Sequence, residues 1–123
     1  MSKDTKIIWL TNPEDHDYRA SLSYLSLIFD IKSAKKIVKA LRKASMTSFK
    51  AKDIFRSSGL SLLGISNRYV ERNTEKLQAG IRLPPLLLVR DHRQRRLIIA
   101  DGYHRLCSVY LINEEADIPC KIV

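Results

Sequence analysis

Acidic residues are in short supply in this chain. Asp and Glu number 13 against 22 Lys and Arg, which leaves a formal charge of +9. That imbalance points to an anionic partner, whether a nucleotide, a nucleic acid or an acidic protein surface, without choosing among them. Cysteine is scarcer still. Cys107 and Cys120 are the only two, and neither belongs to a Cys-x-x-Cys motif. With no secretory segment ahead of them, both read as reduced, buried thiols of a cytoplasmic protein. No apolar run approaches the ~20 residues that cross a bilayer, so no membrane partner is expected. The polar start Met1-Ser2-Lys3-Asp4 leads into no apolar leader core. Repeats and low-complexity linkers are missing too. The 123 residues suffice for one modest core and not for two, and 45% hydrophobic content argues against disorder. One domain over 1–123 is expected, mostly helical over 1–80, with a core over 82–123.

Hydrophobic spacing places the elements. Lys6 to Leu10 is a short apolar run and reads as a first strand. Thr11-Asn12-Pro13 reads as a helix start, with Asn12 as cap and Pro13 at the first helical position. Tyr18, Leu22, Leu25 and Phe29 then follow at helical spacing. A second helix is expected over Ser33–Ala44, capped by Ser33, because Ala34, Ile37, Val38 and Leu41 make one apolar stripe. Lys35, Lys36, Lys39, Arg42 and Lys43 fill its other face. Such a face either lies along a phosphate backbone, DNA or RNA, or is simply solvated. No aromatic residue interleaves to stack on bases. Ala51–Arg56 predicts a short third helix ended near Gly59, and Leu60–Ile65 an apolar loop packed on the core. Tyr69–Ala79 predicts a fourth helix with Asn67 as cap and Gly80 as stop.

Two places carry chemistry. Glu14-Asp15-His16-Asp17 packs four ionisable groups into one turn. This is either a charged first turn that complements the helix dipole, or a general base, a metal ligand set or a binder of hydroxyl groups. Like charges so close should raise the pKa of at least one of them. No spaced second pair of His or Cys accompanies the cluster, so no metal site is expected. The other place is Ala100-Asp101-Gly102-Tyr103-His104-Arg105. The run Arg96-Leu97-Ile98-Ile99 before it reads as a buried strand, and Leu106, Val109, Tyr110 and Ile112 after it as a packed helix. At such a strand-to-helix turn, Gly102 permits a sharp bend and close approach. The helix N-terminus supplies free N–H groups, and His104 and Arg105 add side-chain donors: together a cradle for an anion, most naturally phosphate. The same residues also make an ordinary Asp-Gly turn. Leu86–Val89 is a continuous apolar strand, so both of its faces should be covered. Asp91–Arg95 is a polar hairpin connection that adds to the basic surface, with His92 exposed and without a role. Ile118–Val123 is the last strand.

Asp101-Gly102-Tyr103-His104-Arg105, flanked by Leu86-Leu87-Leu88-Val89 and by Ile118-Pro119-Cys120-Lys121-Ile122-Val123, resembles the core of the ParB/sulfiredoxin superfamily. The likeness spans residues 82 to 123, a third of the chain; the remainder is similar to small bacterial ParB-like proteins. It implies an α/β fold with a small mixed sheet and several packed helices. It also implies that Asp101, Gly102, Tyr103, His104 and Arg105 hold the phosphates of a nucleotide (ATP, ADP or CTP), with or without magnesium. Activities in the superfamily include CTP hydrolysis, ATP-dependent repair of sulfinic acid, phosphorylation of free serine and nuclease action. Tyr103 stands where sulfiredoxin has its catalytic cysteine, and Gly-Tyr-His-Arg departs from the Gly-Glu-Arg-Arg turn of chromosomal ParB. The turn looks most like the Asp-Gly-His-His-Arg of the serine kinases, which take a base from an N-terminal acidic residue; Glu14, Asp15 and Asp17, beside His16, match that role. ParB proteins that read DNA add a helix-turn-helix after this core. The chain stops at its last strand, so non-specific binding is the nucleic-acid alternative.

Overall fold

Leu86, Leu87, Leu88 and Val89 are all buried, and the fold is arranged around that fact. A computed structural model describes residues 6–64 and 66–123. The polar start at 1–5 and Ile65 of the apolar loop lie outside them. The described residues form a mixed α/β structure in the order α1 (Asp15–Ile28), α2 (Ile31–Lys43), β1 (Thr47–Lys50), α3 (Ala51–Ser58), α4 (Arg68–Gln78), β2 (Leu86–Asp91), β3 (Arg96–Asp101), α5 (Tyr103–Ile112) and β4 (Asp117–Ile122). The four strands make one sheet in the order β1-β4-β2-β3. β2 runs parallel to β4, while β1 with β4 and β2 with β3 are antiparallel.

Alternate residues of β2 serve opposite faces. Leu86 and Leu88 join Ala51, Ile54, Leu77, Ile99, Leu106, Val109, Ile112, Ile118 and Cys120 in one core under α3, α4 and α5. Leu87 and Val89 join Ile98 and Ala100 in a second, covered by Tyr18 and Leu25 of α1 and Ala34, Val38 and Leu41 of α2. Both cysteines are buried and unpaired. Lys121 follows the same alternation. It points to the α2 face, where its Nζ donates to the Arg42 carbonyl at 2.9 Å and lies 5.6 Å from the Tyr18 ring centroid. No helix among the described residues is long and apolar enough to cross a membrane.

Several element starts differ from the sequence reading, each for a local reason. Lys6–Leu10 forms no strand; only Trp9 bridges to Leu83, because the apolar run meets a single short partner between Gly80 and Pro84. α1 begins after Glu14, which forms a reciprocal capping box with Asp17, so Asn12 and Pro13 precede the helix. α2 begins earlier than Ser33, because the Asp30 carboxylate accepts from both the backbone N–H and the hydroxyl of Ser33. β1 has no apolar pattern and is exposed along its length; it exists because its backbone pairs with β4. Leu60 and Leu62 are exposed rather than packed. Asn67, by contrast, caps α4 as expected, accepting from the N–H groups of Tyr69 and Val70.

The irregularity nearest the phosphate turn is a β-bulge. Leu88 pairs with Ile99, but Leu87 pairs with Asp101, leaving Ala100 as the extra residue. Opposed residues on paired strands share a face. Without the bulge, alternation would aim Asp101 at the α5 side; with it, Asp101 sits opposite Leu87, on the α1 side. Gly102 then turns the chain into α5 at φ 109°. A Cβ there would lie 2.7 Å from Leu86 Cγ and 2.9 Å from Arg105 Nη2. Gly102→Ala combines a disfavoured backbone angle with a clash and is expected to lower unfolding stability by about 2–4 kcal/mol. Gly59→Ala is the control, since Gly59 also has positive φ but has no atom within 4 Å of a Cβ; it should cost only about 1 kcal/mol. Urea titration of the two variants checks both values.

Candidate functional site

The capping box that starts α1 does more than cap. Asp17 Oδ2 accepts the Glu14 backbone N–H at 2.7 Å, which fixes the carboxylate with its other oxygen turned inward. Asp17 is 1% exposed. Its Oδ1 lies 3.7 Å from Arg105 Nη1, and Arg105 Nη2 donates to Asp101 Oδ2 at 2.8 Å. The same Nη2 reaches the Pro85 carbonyl at 3.4 Å. The acidic turn of α1 and the strand-to-helix turn before α5 therefore meet across one guanidinium. The bulge and Gly102 bring Asp101 and Arg105 there; the capping box brings Asp17.

Two carboxylates on one cation leave an excess negative charge. Burial pushes the Asp101 carboxyl up to about 6, and the neighbouring Asp17 carboxylate, close enough to share its proton, adds to the rise; Arg105 opposes both. The Asp101 carboxyl therefore takes up its proton in mildly acidic solution. The sequence places the charge crowding within Glu14, Asp15 and Asp17, whereas the crowded carboxyl is Asp101, 84 residues away from Asp17 in the chain. Arg105 Nε is buried and has no hydrogen-bond acceptor among the described residues.

The remaining acidic residues separate from this centre. Asp15 is exposed and pairs with Arg42 at 3.3 Å. Glu14 is exposed. His16 stands at the surface, with Nε2 3.4 Å from Asp17 Oδ1. Glu14, His16 and Asp17 each bring one donor atom within 4.8 Å of the others. This trio could hold a divalent ion, though both Asp17 oxygens already have partners. An imidazole among the donors suits a transition metal better than magnesium.

On the other side of the turn, the first three N–H groups of α5 have no helical partner, since the ladder begins with Leu106 N–H to Gly102 O at 2.9 Å. His104 sits among them. Burial lowers its pKa, so at neutral pH it is uncharged. Its ring lies 5.1 Å from Tyr69 and 5.6 Å from Tyr103. The Tyr103 hydroxyl donates to the Ser61 carbonyl. Arg68 and Arg72 flank the Tyr69 ring at 5.3 and 5.9 Å. Ser108, buried, donates to the Val70 carbonyl at 2.9 Å and so clamps α4 to α5. Tyr69, Arg68 and Arg72 were missed in the sequence. Their signal was the i, i+4 spacing of the two arginines around a tyrosine at a helix start.

Lys35, Lys36, Lys39, Arg42 and Lys43 of α2 are exposed, as the stripe requires, and so is Lys32 in its first turn. Arg42 is the exception in use: it pairs with Asp15 and lies 4.3 Å over the Tyr18 ring. No carboxylate lies within 4 Å of Lys35, Lys36, Lys39 or Lys43 among the described residues. Comparisons with models of known protein families, with characterised proteins and with solved structures found no match to this chain.

The raised carboxyl gives a pH signature. Asp101 binds its proton more tightly folded than unfolded, so its contribution to stability is present at low pH and is lost as pH rises through about 6. Asp101→Asn removes that dependence. The stability of the variant relative to the parent should therefore rise by roughly 1–3 kcal/mol between pH 4 and pH 7. Chemical denaturation at both pH values checks the difference.

Proposed function

We propose that the chain is a ParB/sulfiredoxin-like domain that binds nucleotide phosphates at the N-terminus of α5 and acts as a phosphotransferase or nucleotide hydrolase. The observation that carries this reading is the meeting of Asp17 with Arg105 and Asp101. An acidic residue from the N-terminal helix stands beside the turn whose free N–H groups suit a phosphate. The small mixed sheet with helices on both faces is consistent with that fold.

Each residue then has a role that its environment supports. The N–H groups of Tyr103, His104 and Arg105, with the positive end of the α5 dipole, hold phosphate oxygens. Gly102, with no Cβ, leaves room for Leu86 and the Arg105 guanidinium. Neutral His104 offers a donor or an acceptor. Arg105 holds Asp17 and Asp101 together. Asp17 accepts the proton of an attacking hydroxyl or water, and the Asp17–Asp101 pair retains it. The Asp101 carboxyl, raised to about 6, suits that task. Among Glu14, Asp15 and Asp17, burial and contact with Arg105 favour Asp17 as the base, while Glu14 caps the helix and Asp15 pairs with Arg42. A magnesium ion bound by the nucleotide phosphates would neutralise part of their charge.

A second reading, non-specific binding of DNA or RNA along α2, is favoured by Lys35, Lys36, Lys39 and Lys43 of that helix, which have no carboxylate within 4 Å among the described residues. One set of measurements separates the two. Thermal denaturation with ATP, ADP or CTP at about 100 times the dissociation constant should show about 2.7 kcal/mol of stabilisation. Asp17→Asn should keep that binding and lose turnover about 10²–10⁴-fold. No stabilisation by any nucleotide, together with oligonucleotide binding whose log–log salt slope is about −0.7 to −0.9 per phosphate and flattens in a Lys35→Gln, Lys36→Gln, Lys39→Gln variant, would replace the first reading by the second.

A further inference from the structure

The hairpin end of the sheet holds a second place suited to a ligand, at the far end of β3 from the Asp101 turn. A cavity of about 550 Å³ lies there between α3, Phe49 of β1 and the β2–β3 hairpin. Five residue steps of about 3.3 Å put Arg96 about 16 Å from Asp101 along the strand, so the two places are separate. The volume falls in the range of small-molecule pockets.

The floor is apolar: Ile54, Leu97 and Ile122, with Phe49 as a wall that is 40% exposed. Arg90, Arg95 and Arg96 stand around it. Two carboxylates also border the cavity, but both are engaged. Asp91 Oδ1 accepts the backbone N–H groups of Arg93 and Gln94 at 3.2 Å, and Asp53 lies 3.4 Å from Arg56. No carboxylate lies within 4 Å of the three arginines among the described residues. Three arginines against two carboxylates leave the lining with an excess of one positive charge. Arg95 also stands at φ 52°, the one non-glycine residue with positive φ among the described residues. Glycine would meet that turn angle without strain. The arginine is held there at a cost, at the border of the cavity.

We propose that this cavity is a binding site for a small aromatic anion, whose flat ring lies on Phe49 and the apolar floor and whose carboxylate or phosphate is gripped by Arg90, Arg95 and Arg96. A planar guanidinium pairs with either head group through two parallel hydrogen bonds. The inference is independent of the nucleotide reading of the α5 turn.

The test is titration of the ¹⁵N-labelled protein, at fixed ionic strength, with four probes: 1-naphthyl phosphate, 1-naphthoate, 1-naphthol and inorganic phosphate. Amide shifts should concentrate at Phe49, Ile54 and residues 90–97. At least one naphthyl anion should bind tenfold or more tighter than both 1-naphthol and inorganic phosphate, and the tighter of the two identifies the head group. Arg95→Gly with Arg96→Gln should weaken that binding at least tenfold while Tm holds or rises, because the glycine relieves the turn. Full affinity in that variant, inorganic phosphate binding as tightly as the naphthyl anions, or shifts centred on α2 or the α5 turn would overturn the proposal.

Discussion

Arg105 is the interaction on which the rest depends. Its guanidinium is largely buried, and a buried charge persists only when it is paired and hydrogen-bonded. Here the pairing comes from two directions at once, Asp101 from the end of β3, four residues back in the chain, and Asp17 from α1. Removing either carboxylate leaves the other to balance the cation. Removing Arg105 leaves two carboxylates facing each other away from water. The second loss is the worse one, because each carboxylate was already crowded with the cation present.

That constraint reaches outward through the fold. Asp17 is aimed by the capping box with Glu14, so the start of α1 is fixed by the same group that meets Arg105. Asp101 is aimed by the bulge at Ala100, and the close fit of Gly102 against Leu86 sets where α5 begins. Leu86 belongs to the buried strand that separates the two cores. The shape of the site and the packing of β2 are thus one problem, and the pH behaviour of Asp101 reports on both.

Much of the frame was legible from periodicity alone. The continuous apolar run at Leu86–Val89 said that both faces of that strand are covered, and α1/α2 on one side and α3/α5 on the other cover them. The stripe of α2, the cap at Asn67 and the stop at Gly59 were readable because each is a local signal. What was not legible is non-local. β1 is polar and exists only through pairing with β4. Lys6–Leu10 looks like a strand and finds too little to pair with. The acidic turn and the Asp-Gly turn could each be seen, but nothing local says that Asp17 and Arg105 touch, or that a bulge redirects Asp101. Likewise the hairpin arginines read only as basic surface, because a cavity is made by what lies opposite them: Phe49 on another strand and Ile54 on α3.

The site turns on the Asp101 carboxyl, which burial and the neighbouring Asp17 hold up at about 6. Carbon-13 NMR of the aspartate carboxyl groups, followed from pH 3 to pH 8, observes it. One carboxyl resonance, that of Asp101, should titrate at about 6, with a lower midpoint once Asp17→Asn removes the neighbouring charge. An Asp101 resonance that titrates near the ordinary value of 3.8 in both proteins would contradict it.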